Sequence, residues 1–114
     1  MFSTDEVPTV EVAQVPVPIP EGITVLDVRE PVEWHHGRIE GSVHVPMSQI
    51  PARAEELPQE GQLLVVCKVG GRSAHVTAFL RRNGFDAVNL DGGLVEWVSA
   101  GRVLVGDTAE PLLV

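Results

Sequence analysis

The sequence holds a single cysteine, Cys67, among 114 residues, so neither an internal disulfide nor a Cys-x-x-Cys pair can form. Small secreted domains usually depend on such staples, and their absence points to a reducing compartment. Basic residues are also scarce. Eight Lys and Arg stand against sixteen Asp and Glu, a formal charge of −8, and no basic run is longer than Arg81-Arg82. Phosphate backbones need a concentrated positive surface, so no nucleic-acid partner is expected. No apolar run approaches the length that spans a bilayer, and Met1 to Glu6 has neither the positive start nor the apolar core of a secretion signal. The expectation is a cytoplasmic protein without a membrane partner. The sequence also lacks a Walker phosphate loop, a Gly-x-Gly-x-x-Gly fingerprint and any internal repeat, and no cofactor is expected.

What is present suits a folded domain: 44% hydrophobic and 21% charged residues argue against disorder, and the length fits one domain over residues 1–114. The informative stretch runs from Leu63 to Leu80. Leu63 to Val66 is a short, continuous apolar run of the kind found in a parallel strand covered on both faces. Cys67 follows at its end. Gly70 and Gly71 then allow a sharp turn, and Arg72 or Ser73 opens a helix with Val76, Phe79 and Leu80 on one face. Unpaired N–H groups and partial positive charge at a helix start favour an anion, and the anion available here is a thiolate. A free cysteine ionises with a pKa of about 8.5, which neighbouring cations and N–H donors lower. Lys68 and Arg72 flank the loop, so Cys67 is expected to be a nucleophile. A lone cysteine closing an apolar strand is most often a small buried hydrophobe. Such a residue has no need of a following Gly-Gly, two cations and an immediate helix start.

These residues resemble a family, the single-domain rhodaneses, sulfurtransferases that carry sulfane sulfur as a cysteine persulfide. The segment Cys67-Lys68-Val69-Gly70-Gly71-Arg72 is similar to their six-residue active-site loop. The likeness extends to Leu26-Asp27-Val28-Arg29-Glu30-Pro31, to Glu33-Trp34, to Gly37-Arg38-Ile39 with Gly41-Ser42, and to Val45-Pro46. It continues through Asn83-Gly84-Phe85, Leu90-Asp91-Gly92-Gly93 and Glu96-Trp97, and so covers residues from about Thr9 to Val105. Arg38 departs from the pattern, since these domains commonly carry His there. The resemblance implies a rhodanese-like α/β fold in three layers, with a mainly parallel central sheet and helices on both faces. Strands alternating with helices along the chain point independently to the α/β class.

Elsewhere the residues read as scaffold. Thr9 to Val15 alternates like a strand, before Pro16, Pro18 and Pro20 impose extended chain where related domains often place a helix. Ile23 to Val28 is the next strand, and Pro31 suits the first turn of a helix through Trp34. Asp27 and Arg29 stand at that strand's end, where ligands gather in parallel sheets, and are expected to brace the site more than to react. His35 and His36 are adjacent, which is not the spacing of a helical metal pair, and no metal site is expected. A strand over Ser42 to Val45, a helix from Pro51 to Leu57 stopped by Pro58, and a helix ending at Asn83-Gly84 complete this part. Ala87 to Leu90 is the last core strand. Gly92 and Gly93 fit either a close approach to the active loop or a simple tight turn. Trp97 is expected in the core, and the segment from Gly106 to Val114 shows no periodicity.

The resemblance implies that Cys67 takes sulfur from thiosulfate or a low-molecular-weight persulfide and passes it to a thiol, cyanide or protein acceptor. The amides of Lys68, Val69, Gly70, Gly71, Arg72 and Ser73 would stabilise the terminal sulfur, and Arg72 would contact anionic donors through its planar fork. Two other readings compete. A phosphatase or arsenate reductase would use a similar cysteine cradle, but only four residues separate Cys67 from Arg72, one fewer than in thiol-dependent phosphatases. A non-catalytic binding module would have no need to keep the thiol, the glycines and both cations.

Overall fold

The computed structural model describes residues 7–114; the segment Met1 to Glu6, read above for a leader, lies outside them. Five strands form one sheet: β1 (Thr9–Val10), β2 (Ile23–Asp27), β3 (Val43–His44), β4 (Gln62–Val66) and β5 (Asp86–Leu90). Their order is β1-β5-β4-β2-β3, and every neighbouring pair is parallel. Four helices accompany them: α1 (Pro31–His36), α2 (Ile50–Arg53), α3 (Gly71–Arg82) and α4 (Gly93–Ser99).

The central strand β4 shows why both faces must be covered. Its side chains alternate, so Leu63 and Val65 join one core with Val76 and Leu80 of α3, while Leu64 and Val66 join another with Leu94 and Trp97 of α4. A continuous apolar run thus serves two cores, and the helices lie on opposite faces of the sheet as expected. Val65, Val66, Leu80, Leu90 and Leu94 have no exposed surface. Each such side chain stabilises the fold by about 1.5–3 kcal/mol relative to exposure.

Several element boundaries differ from expectation. Only Thr9 and Val10 of the Thr9–Val15 stretch are strand, and Val12–Gln14 forms a turn of 3-10 helix. Val12 and Val15 both enter the core beside Leu64 and Val66. A single turn brings residues three apart to one side, whereas strand alternation sends them to opposite sides. The Glu11 N–H donates to Gln14 Oε1 at 2.8 Å, which closes the turn. Helix α2 is a single turn continued by 3-10 helix over Ala54–Glu56, in place of one helix from Pro51 to Leu57. Strand β3 is confined to Val43 and His44.

The aperiodic end of the chain is docked. The Leu112 N–H donates to His36 O at 3.0 Å, Leu113 packs on the second core, and Asp107 accepts from Arg38 Nη2 at 2.7 Å. Arg38 lies 4.6 Å above the Trp34 ring, and its backbone bridges to Val105. The arginine that departs from the family pattern therefore ties the C-terminal segment to α1. Trp97 is buried as expected.

Candidate active site

Strand β4 ends at Val66 and delivers Cys67 to the carboxyl edge of the sheet, between β2 and β5. The chain then turns through Lys68, Val69 and Gly70. Gly70 has φ of +106°, a conformation that side chains with a β-carbon rarely adopt, and it caps α3. The helix consequently begins at Gly71, ahead of the expected Arg72 or Ser73. Starting there brings the first turn of α3 back over the sulfur.

Cys67 Sγ accepts from the Gly70 N–H at 3.1 Å and from the Ser73 N–H at 3.4 Å, and it lies 3.2 Å from Ser73 Oγ. Burial, the largest single influence, pushes the thiol pKa up. The Ser73 hydroxyl, with the amides of Ser73, Gly70 and Val69, outweighs it and leaves the pKa below the ordinary value. Cys67 has no exposed surface, while Val69 at the loop tip is 64% exposed. The sulfur is thus buried beneath the loop and faces the Gly70 and Ser73 N–H groups, with the apolar Val69 exposed at the loop tip.

The loop is held from its other side by α4. The Leu94 N–H donates to Cys67 O at 2.9 Å and the Val95 N–H to Lys68 O at 3.0 Å. A β-carbon on Gly93 would stand 2.5 Å from Cys67 O and 2.6 Å from Lys68 O. Both roles open to the Gly92-Gly93 pair are observed: the two residues turn the chain with φ of +72° and +58°, and Gly93 makes the close approach to the loop. Two helix starts therefore flank the loop, one donating to the cysteine sulfur and the other to the loop carbonyls.

Asp27 and Arg29 are fully buried and brace the neighbouring strand end. Arg29 Nη2 donates to Asp27 Oδ2 at 2.8 Å and to Gly37 O at 2.5 Å, and Arg29 Nε donates to both carboxylate oxygens. This ties the end of β2 to the far end of α1. His44 completes the bracket: its Nε2 lies 2.8 Å from Arg29 O, and its ring stacks on Trp34 with centroids 4.6 Å apart. His35 pairs with Asp107 on the surface, at 3.2 Å.

Arg72 does not project freely. Its Nη1 and Nη2 donate to Glu33 Oε1 and Oε2 of α1, at 2.7 and 3.0 Å. The Arg72 guanidinium is the main cause holding the Glu33 pKa below its ordinary value, and the nearby Cys67 charge adds to the preference of Arg72 for its cationic form. Lys68 makes no ion pair among the described residues.

Two site residues escaped sequence reasoning. Asn89 on β5 is buried, and its Oδ1 accepts from Ser73 Oγ at 2.5 Å. The available signal was a polar side chain inside an apolar strand, which requires a buried partner. Glu33 figured only in the family likeness, without a role at the site; it is the third helical residue after Glu30, a capping position whose side chain accepts the Glu30 N–H at 2.8 Å.

The family model for the rhodanese-like domain matches residues 16–100. The chain is 34% identical over 86 residues to a protein named sulfurtransferase from Allochromatium vinosum, covering 75% of this chain and 80% of that one. It is 36% identical over 77 residues to the putative sulfurtransferase YtwF of Bacillus subtilis, covering 68% of this chain and 75% of that one. Among solved structures, it is similar to a rhodanese-related protein from Thermoplasma volcanium, with a TM-score of 0.80 at 32% identity. That likeness covers 86% of this chain and 97% of that one.

Proposed function

The chain belongs to the rhodanese-like domain family, and from that premise we propose that it is a sulfurtransferase carrying sulfane sulfur as a persulfide on Cys67. The observation that carries this reading is the cysteine sulfur at the strand end, facing the Gly70 and Ser73 amides with its pKa lowered. In the first half-reaction the thiolate attacks the outer sulfur of the donor. The new Cys67 S–S bond forms as the bond to sulfite or to a thiolate breaks. The terminal sulfur then carries the negative charge, and the ring of loop amides stabilises it there. In the second half-reaction an acceptor thiolate or cyanide takes that sulfur, and Cys67 leaves as the thiolate.

The donor is thiosulfate or a low-molecular-weight persulfide, and the acceptor is a thiol, cyanide or a protein. The domain works as one unit over residues 1–114, in the cytoplasm, without nucleic acid or membrane. Among the described residues no helix is long and apolar enough to cross a membrane, and no cluster of metal-ligating side chains occurs.

Intact mass of the reduced protein after incubation with thiosulfate or glutathione persulfide tests this reading. Wild type should gain one sulfur, about 32 Da, that cyanide or a thiol discharges, and a folded Cys67→Ser variant should gain none. A wild-type protein with a free thiol that no donor loads would overturn it.

A further inference from the structure

Arg72 supplies the planar, two-pronged cation that an oxyanion donor would seek, and Glu33 already occupies both prongs. This carboxylate is built into the fold. Its Oε1 also accepts the Glu30 N–H that begins α1, its side chain is only 14% exposed, and its lowered pKa keeps it ionised at neutral pH. Glu30 adds a second negative charge within electrostatic reach of Arg72. The charges of Glu33 and Arg72 cancel, and Glu30 with the Cys67 thiolate leaves the balance around the Arg72 fork negative.

A dianion such as thiosulfate must enter that field without the Arg72 fork, in a protein whose formal charge is −8. A persulfide borne on a thiol requires far less of the site. It offers one transferable sulfur that is neutral when protonated, and its carrier group remains outside the loop. We propose that Glu33 is a specificity-determining residue that turns the site away from dianionic donors and toward sulfur delivered on a thiol. The favoured step is balanced: Cys67–S⁻ attacks the outer sulfur of R–S–SH, the S–S bond breaks, and R–S⁻ leaves as Cys67–S–SH forms. The thiosulfate step balances equally, with sulfite leaving, so the two donors differ in the field they meet and not in the chemistry. This inference rests on the sulfur-carrier reading above.

The test compares kcat/KM for sulfur loading of Cys67 from thiosulfate and from glutathione persulfide, in wild type and in Glu33→Gln. Glutamine keeps an acceptor for the Glu30 N–H, so the start of α1 is retained. Removing one charge beside the site should raise the thiosulfate-to-persulfide ratio roughly tenfold, with a weaker effect at high salt. Arg72→Gln, which leaves Glu33 uncompensated, should lower the same ratio. A clasp with only a structural role would change both donors alike and leave the ratio fixed in both variants. A ratio within about twofold of wild type in the folded variants overturns the inference by itself. A wild-type protein that neither donor loads overturns the sulfur-carrier reading, and this inference with it.

Discussion

Ser73 Oγ stands 2.5 Å from Asn89 Oδ1 and 3.2 Å from Cys67 Sγ, so one hydroxyl serves both a buried amide and the cysteine sulfur. With Cys67 as a thiol, the S–H donates to Ser73 Oγ and the serine proton goes to Asn89. With Cys67 as a thiolate, the serine proton turns to sulfur. The pair thus satisfies the sulfur in either protonation state.

Ser73→Ala removes this donor and should raise the Cys67 pKa toward the ordinary cysteine value, as expected on losing a hydrogen bond to a charged group. The pH dependence of alkylation by iodoacetamide measures it. In wild type the rate should rise with pH through a midpoint below the ordinary cysteine value and then reach a plateau, because the folded pKa is lowered. In the variant the plateau should move to higher pH, and Ser73→Thr should restore it. By the same linkage, the thiolate contributes stability fully present above the ordinary value and lost as pH falls through the lowered one. An unchanged alkylation profile in Ser73→Ala would assign the depression to the backbone amides alone.

Breaking the Asp27–Arg29 pair should act on stability more than on chemistry. Both side chains are fully buried, so Arg29→Ala leaves a carboxylate without its partner and frees the Gly37 carbonyl. The expected loss is about 3–5 kcal/mol, read from chemical denaturation. Molecules that remain folded should still load sulfur on Cys67. Loss of loading in a fully folded Arg29→Ala protein would make Arg29 part of the reaction instead of its brace.

Gly93→Ala tests the contact between α4 and the loop. The new methyl would meet Cys67 O and Lys68 O at 2.5 and 2.6 Å, in a residue whose φ is +58°. Strain of this kind costs on the order of 1–3 kcal/mol, and relief requires the loop carbonyls to move away from α4. Both the denaturation midpoint and the alkylation rate of Cys67 should fall. Gly84→Ala is the control: its φ is also positive, at +89°, but its β-carbon meets open space, so it should lower stability and leave the alkylation rate unchanged.

Local pattern determined the class of this fold and the place of its one cysteine at the end of a strand. An apolar strand ending in the only cysteine, followed by glycines, cations and a helix, is readable because each step depends on neighbours within a few residues. The same holds for Pro31 at the start of α1 and for Asn83-Gly84 after α3. The partnerships were decided by tertiary structure, because they join residues far apart in the chain. Glu33 and Arg72 are 39 positions apart, Ser73 and Asn89 are 16 apart, and Arg38 and Asp107 are 69 apart. No periodicity encodes which carboxylate meets which guanidinium. That follows from β2 lying beside β4 and β5 on its other side, which brings α1 and the end of β5 against the start of α3. The sequence thus identified Arg72 as a free fork for an anion, and the fold paired it with Glu33. The boundary of the first strand was set in the same way, since Val12 and Val15 turn toward a core they share with Leu64 and Val66, some fifty residues away.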